Sequence, residues 1–278
     1  MFKNRDLVIA TKHGKEIVIA PVLKDSLGVV CHVVENFDTD MLGTFSGDKE
    51  RLNDPITTAR IKCQIAMNMS NYDLSVSSEG SFGPHPTMFF TSADDEILLF
   101  IDKKNDLEIF ARELTTDTNF NALVIKTDEQ LNDFALSVKF PSHGLIIRKG
   151  KEDLTDMIKG IIDWHTLIKT FEYHINKYGT AYVETDMRAM YNPTRMKAIE
   201  RAAAKLVQQI NSCCPNCNTP GFVITERKEG LPCRLCNYKT RSTLSYIYRC
   251  KACFHEKEEF YPNKLTEEDP MYCDRCNP

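Results

Sequence analysis

Four Cys-x-x-Cys pairs near the end of the chain constrain it more than any other feature. Cys214-Pro-Asn-Cys217 is followed after 15 residues by Cys233-Arg-Leu-Cys236, and Cys250-Lys-Ala-Cys253 after 19 residues by Cys273-Asp-Arg-Cys276. A Cys-x-x-Cys turn aims two thiolates at one centre, and two such turns complete a tetrahedral four-sulfur zinc site. All four positions are then filled by protein, which leaves none for a catalytic water. Two structural Zn2+ ions are therefore expected, held by Cys214, Cys217, Cys233, Cys236, Cys250, Cys253, Cys273 and Cys276. They replace the apolar core that so short a segment barely provides. Pairing in order along the chain is the expected arrangement, and an interleaved one satisfies the same spacing. Cys213 competes with Cys214, and His255 is an alternative ligand.

A disulfide scaffold would spread its cysteines along the chain. Here only Cys31 and Cys63 precede residue 200, and metal is the better explanation. The 278 residues are 42% hydrophobic and 27% charged, an ordinary globular composition. Length and cysteine distribution together predict a main domain over residues 1–210 and a ribbon module over 211–278. The longest apolar run, Ile97-Leu98-Leu99-Phe100-Ile101, falls far short of the roughly 20 residues of a membrane helix. Met1-Phe2-Lys3-Asn4-Arg5-Asp6 opens no signal peptide, so a cytoplasmic protein with no membrane partner is expected. The net charge of −4 argues against a nucleic-acid binder built over the whole chain. Within residues 214–276, ten Lys or Arg face nine Asp or Glu, and thiolates add further negative charge. Only the stretch with Arg241, Tyr246, Tyr248 and Arg249 mixes cations and aromatics, which leaves docking on RNA or on a protein as an alternative role for the ribbons.

The first 210 residues alternate strand-like and helix-like segments, the pattern of an α/β domain. Leu7-Val8-Ile9-Ala10 reads as a buried strand and Val29 to Val34 as a second, with a helix between them ending at Leu27-Gly28. Pro55 opens another helix. A strand from Leu74 to Ser78 is expected to end in a loop, Glu79-Gly80-Ser81-Phe82-Gly83-Pro84-His85-Pro86. Glu96 to Asp102 and Leu107 to Leu114 form a predicted hairpin. Asp163 caps a helix that stops at Gly179, and Asn192-Pro193 starts a long one.

Three groups of residues suggest chemistry. Lys12, His13 and Lys15 surround Gly14 where the first strand hands over to a helix, a place that suits phosphate. Glu79, with Asp38 and Asp40 from the preceding glycine-containing stretch, offers oxygen ligands for Mg2+. Asp186, beside Glu184 and Arg188 and ahead of Arg195, could pair acids with a cation and arginines with phosphate. The same residues also suit a structural Asp–Arg network bracing the helix against the sheet. Ser142-His143 is a further contact candidate, and Trp164 a core residue.

The order of features over residues 6–178 resembles the inosine/xanthosine triphosphatase-like fold. The matching stretches are Thr11 to Lys15, Thr58-Ala59-Arg60-Ile61-Lys62 and Ser78-Glu79-Gly80. The resemblance implies a mixed-sheet α/β domain that cleaves nucleoside triphosphates with Mg2+. The chain departs from that family at Lys12-His13-Gly14-Lys15 and at Pro84-His85-Pro86. As a whole it looks like an uncharacterised bacterial family marked by Ala10 to Glu16, Glu79 to Pro86, Thr185-Asp186-Met187-Arg188-Ala189 and the terminal ribbons. The leading expectation is a hydrolase of a nucleotide or other phosphorylated small molecule.

Overall fold

A computed structural model describes residues 1–34, 37 and 53–278. Asp38 and Asp40 lie outside the described residues. The chain divides into two compact units, Met1–Val207 and Gln208–Pro278.

In the first unit, β1 (Asp6–Ala10), α1 (Glu16–Leu27) and β2 (Val30–Val33) open the chain, followed by α2 (Pro55–Ser70), β3 (Leu74–Pro84), β4 (Ser92–Asp102) and β5 (Leu107–Thr115). They build a five-stranded mixed sheet in the order β2-β1-β3-β4-β5. β1 runs parallel to β2 and β3, while β3–β4 and β4–β5 are antiparallel. β6 (Ala122–Ile125), α3 (Asp128–Ser137), β7 (Leu145–Arg148), β8 (Ile158–Ile161), α4 (Trp164–Tyr178) and β9 (Ala181–Thr185) follow, and then α5 (Pro193–Asn211). Their strands form a four-stranded antiparallel sheet in the order β6-β9-β7-β8. Leu131, Phe134, Leu167 and Phe171 of α3 and α4 share a core with Ile125, Leu145, Ile147 and Val183 of this sheet.

Caps set the helix ends where local chemistry predicts them. Asp54 accepts from the amides of Ile56 and Thr57, both at 3.0 Å, and Asp163 accepts from Thr166 N at 2.8 Å. Asn192 Oδ1 accepts from Arg195 N at 2.9 Å. Each carboxylate or amide oxygen satisfies first-turn donors that have no helical partner. At Gly28 and Gly179 the chain leaves α1 and α4 with φ near +70°, a conformation free of Cβ strain only for glycine.

The strand expected to stop at Ser78 instead runs on to Pro84, paired residue for residue with Ser92–Asp102. Glycines and a glutamate read locally as a loop, but Glu79 and Gly80 are both buried between partners that accommodate them. The turn that ends this long hairpin is stiffened by His85, whose Nδ1 accepts from the amides of Thr87 and Met88 at 3.2 Å.

In the second unit, β10 (Ile224–Glu229), β11 (Thr243–Arg249) and β12 (Glu256–Phe260) form an antiparallel sheet in that order. Among the described residues no helix is long and apolar enough to cross a membrane.

Candidate functional site

Strand alternation divides the expected catalytic residues between two faces of the larger sheet. On one face Glu79 is in contact with Lys62 of α2, both being buried. Ser77, two residues earlier and so on the same face, donates its hydroxyl to Ala59 O of α2 at 2.7 Å. On the other face lie Ser78, Gly80 and Phe82, with their β4 partners Leu98, Glu96 and Asp94. Lys15 reaches this face from the turn after β1, and its Nζ donates to Ser78 Oγ at 2.8 Å. Lys15 and Glu79, grouped as one site by order along the chain, thus approach β3 from opposite sides.

Arg195, near the start of α5, is the largest fully buried side chain among the described residues. Its Nε donates to Glu96 Oε1 at 2.6 Å, its Nη1 donates to Met187 O, and its guanidinium lies 4.9 Å from the centre of the Phe82 ring. Gly80 is what makes the room. A Cβ there would fall 2.4 Å from Glu96 Oε1 and 2.6 Å from Arg195 Nη2. Gly80→Ala is therefore expected to cost about 1–3 kcal/mol through overpacking, measurable by denaturant unfolding, although the glycine needs no unusual backbone angle.

Asp94 and Glu96 stand two residues apart on the same face of β4, both with no solvent exposure. Glu96 is held by Arg195, and the two carboxyl groups hydrogen-bond to each other. Burial, and next the neighbouring charge of Glu96, push the Asp94 carboxyl up to about 8. Burial, and next Arg195, pull the Lys15 ammonium down to about 7. Across from Glu96, Glu113 of β5 accepts from Arg201 at 2.7 Å and from Lys205 at 2.5 Å. α5 therefore docks on this face through charges as well as through Ala198 and Ala202, which are buried.

The remaining candidates fall elsewhere. Asp186 is fully buried and accepts from Arg188 N, Nε and Nη2 and from Gly160 N, all within 3.1 Å. Glu184 pairs with Arg148 at 3.0 Å, and Arg188 stacks over Tyr191, 4.6 Å from the ring centre. Asp186 and Arg188 thus pair with each other, and Arg195 pairs with Glu96, inside the fold. His143 is buried too, with Nε2 2.9 Å from Thr194 Oγ1 and accepting from Thr194 N at 3.3 Å, at the start of α5. Lys12 is exposed and His13 partly so, in the turn after β1.

The eight ribbon cysteines meet in two groups, but not in chain order. Cys214 and Cys217 join Cys250 and Cys253, while Cys233 and Cys236 join Cys273 and Cys276. The expected sequential pairing is replaced by the interleaved one, and strand direction explains why. β10, β11 and β12 have 6, 7 and 5 residues and run antiparallel. Each strand carries the chain to the opposite end of the sheet, about 17–24 Å away at 3.4 Å per residue. The first and third knuckles therefore share one end, the second and fourth the other. Within the groups all Sγ atoms lie within 4.8 Å of one another, and the pairs Cys214–Cys253, Cys217–Cys250, Cys233–Cys276 and Cys236–Cys273 are 3.5–3.9 Å apart. A tetrahedron with Zn–S bonds of about 2.3 Å has edges of about 3.8 Å, whereas a disulfide would need about 2.05 Å. Both groups fit zinc, and Cys213 and His255 belong to neither.

The knuckles share one backbone design. In the first, second and third, the leading cysteine amide is held by the residue five positions on, as in Cys214 N to Thr219 O at 2.9 Å. The fourth residue after each of those cysteines, Asn218, Asn237 or Phe254, has φ near +57°, which asparagine tolerates well and phenylalanine poorly. Four cations of the ribbons face carboxylates: Arg241 with Asp274, Arg249 with Glu256, Arg234 with Asp269 and Lys228 with Glu258.

Fold and cysteine geometry together define a mixed-sheet α/β protein that ends in a pair of four-cysteine zinc-ribbon sites. The chain belongs to the family described as domain of unknown function DUF6671, whose family model matches residues 62–278 and so includes Glu79, Asp94, Glu96, Arg195 and all eight ligand cysteines. No curated protein matches it.

Proposed function

We propose that this protein is a hydrolase of a phosphorylated small molecule of the nucleotide class, assisted by a divalent cation such as Mg2+, with two structural Zn2+ ions in its ribbons. One observation carries the reading. Lys15 is buried just beyond the carboxyl end of β1, where the parallel pairing of β1 with β3 stops, its Nζ fixed on Ser78 and its backbone at the start of α1. Ligands of open α/β sheets bind at such strand ends, and helix-start amides favour phosphate. Lys12 and His13 sit in the same turn and bring further cationic donors. The likeness to inosine/xanthosine triphosphatases in the order of these features supports the same reading.

Release of phosphate and pyrophosphate from a nucleotide panel, inosine and xanthosine triphosphates included, tests it directly. Lys15→Ala is expected to lower turnover by about 10²–10³-fold, as for loss of one donor that holds developing charge. Equal turnover by wild type and variant would remove Lys15 from the reaction. A pH profile follows from the same group. A bound phosphate holds the proton on Lys15, so substrate affinity is full below about pH 7 and falls as pH rises beyond it. KM should rise across that window in the wild type and stay flat in Lys15→Arg.

The other reading, a docking module, draws on the exposed Leu235, Phe254, Met271 and Tyr272 of the second unit. Because Arg241 and Arg249, the cations of the aromatic-rich stretch, are paired with carboxylates, it favours a protein partner over RNA. Salt-sensitive RNA binding lost in Arg241→Ala would reverse that preference.

A further inference from the structure

We infer that Ser78 is the positioning residue of the strand-end site: its hydroxyl fixes Lys15 Nζ beyond β1 and keeps the ammonium charged for a phosphate group. This role rests on the proposed phosphate-binding role of Lys15 and deepens it, since it says what sets that lysine's place and its working pH.

The backbone puts the two residues together. β1 pairs with β3 only as far as Ala10 and Ser77, so Ser78 is the first residue of β3 beyond that ladder. Lys15, at the N-cap of α1, reaches back to it, with Nζ 2.8 Å from Ser78 Oγ and 3.4 Å from Ser78 O. Both residues are buried, Lys15 at 8% exposure and Ser78 at 3%. A lysine stem is flexible, and a short buried side chain at its tip holds it in one place. An ammonium has three donors. Ser78 engages at most two of them, so one remains for a phosphate oxygen.

Charges act on Lys15 from every element packed around it. Burial first, then Arg195 of α5, disfavour its ammonium, and Lys62 of α2 adds to them. Glu96 of β4 and Glu79 of β3 favour it, and Asp94 of β4 interacts with the same lysine. The balance leaves Lys15 titrating at about 7, where one hydrogen bond decides how much of it is charged. The carboxylates of Glu96 and Glu79 are engaged by Arg195 and Lys62. Ser78 is the direct partner of Nζ. A hydroxyl accepts from an ammonium and donates to an amine, so Ser78 holds Nζ in both forms, whereas a carboxylate would lock the charge on. Ser77, the preceding residue, donates to Ala59 O on the opposite face and serves as an internal control.

The test is the titration of Lys15 in the zinc-loaded full chain, followed by NMR at the ε-carbon of isotope-labelled lysine. Its resonance is assigned by its loss in Lys15→Arg. Ser78→Ala is expected to lower the midpoint by about one pH unit, as for a lost hydrogen bond to a charged group. Ser77→Ala should leave the midpoint in place, and Ser78→Thr should restore it. Ser78→Cys, close to serine in size and a weak acceptor, should move it the same way and serves if Ser78→Ala does not fold. An unchanged midpoint in Ser78→Ala or, where that variant is unfolded, in Ser78→Cys overturns the inference. Kinetics read the same role: KM in Ser78→Ala should be about tenfold above wild type at alkaline pH and equal to it below about pH 6. Nucleotide turnover separates the two proposals. A midpoint that moves in a protein without turnover sinks the hydrolase reading alone. Turnover that needs Lys15, with one titration and one KM profile shared by wild type and Ser78→Ala, sinks the role of Ser78 alone.

Discussion

The double variant Cys214→Ser/Cys250→Ser is expected to lose one zinc equivalent and keep the other. Both cysteines belong to one group, so both substitutions fall on one ion, while Cys233, Cys236, Cys273 and Cys276 stay complete. Pairing in chain order would put the two substitutions on different ions and cost both. Zinc content of the purified protein decides between them. The consequence for folding is large, since structural zinc contributes roughly 10–16 kcal/mol of apparent folding free energy in small modules. The apolar cluster around the first site is small: Phe222 with Cys214 and Cys250, and Tyr248 and Cys253 at its edge. Loss of that ion should therefore melt residues near Phe222, read as collapsed amide dispersion in that region of the NMR spectrum. Retention of native dispersion in a zinc-free double variant would show that the sheet carries itself.

Arg195→Met is expected to destabilise the first unit by about 3–5 kcal/mol, because it leaves Glu96 charged and buried without its partner. Met187 O loses its donor in the same step, and Asp94 beside Glu96 loses a neutralising charge. Replacing both members, as Arg195→Met with Glu96→Leu, should recover much of the loss, since two well-packed apolar side chains often match a buried ion pair. Urea unfolding of the two variants measures the difference. A cost below about 1 kcal/mol for the single variant would mean that water reaches Glu96 once the guanidinium is gone, and would place the pair among surface ion pairs in strength.

Local signals carried much of the architecture. Asp54-Pro55, Asp163 and Asn192-Pro193 each place a side-chain acceptor ahead of an apolar periodic run, and α2, α4 and α5 begin there. The hairpin around Lys104-Asn105 was legible for the same reason, as two β-rich runs divided by a polar turn. Glu79 to Pro84 was not. Its glycines signal a loop, and only the neighbouring strand and Arg195, far away in sequence, make Gly80 a residue of a strand. Asp94 and Glu96 gave no signal as a pair, because the predicted strand begins only at Glu96 and leaves Asp94 outside it. Alternation along β4 turns two of its acids inward and one out, and that depends on a register no local pattern specifies.

Sequence alone determined which atoms can bind zinc, since a Cys-x-x-Cys turn needs nothing beyond its own backbone to aim two thiolates. It also determined where the helices begin and end, because caps act within one turn. Tertiary structure decided which knuckles share an ion, through the antiparallel run of β10, β11 and β12. It also decided that Lys15 and Glu79 lie on opposite faces of β3, and that Arg195 neutralises Glu96 rather than meeting solvent. Both outcomes come from pairing between distant strands and helices, where burial selects one register for the whole element and every side chain must follow it.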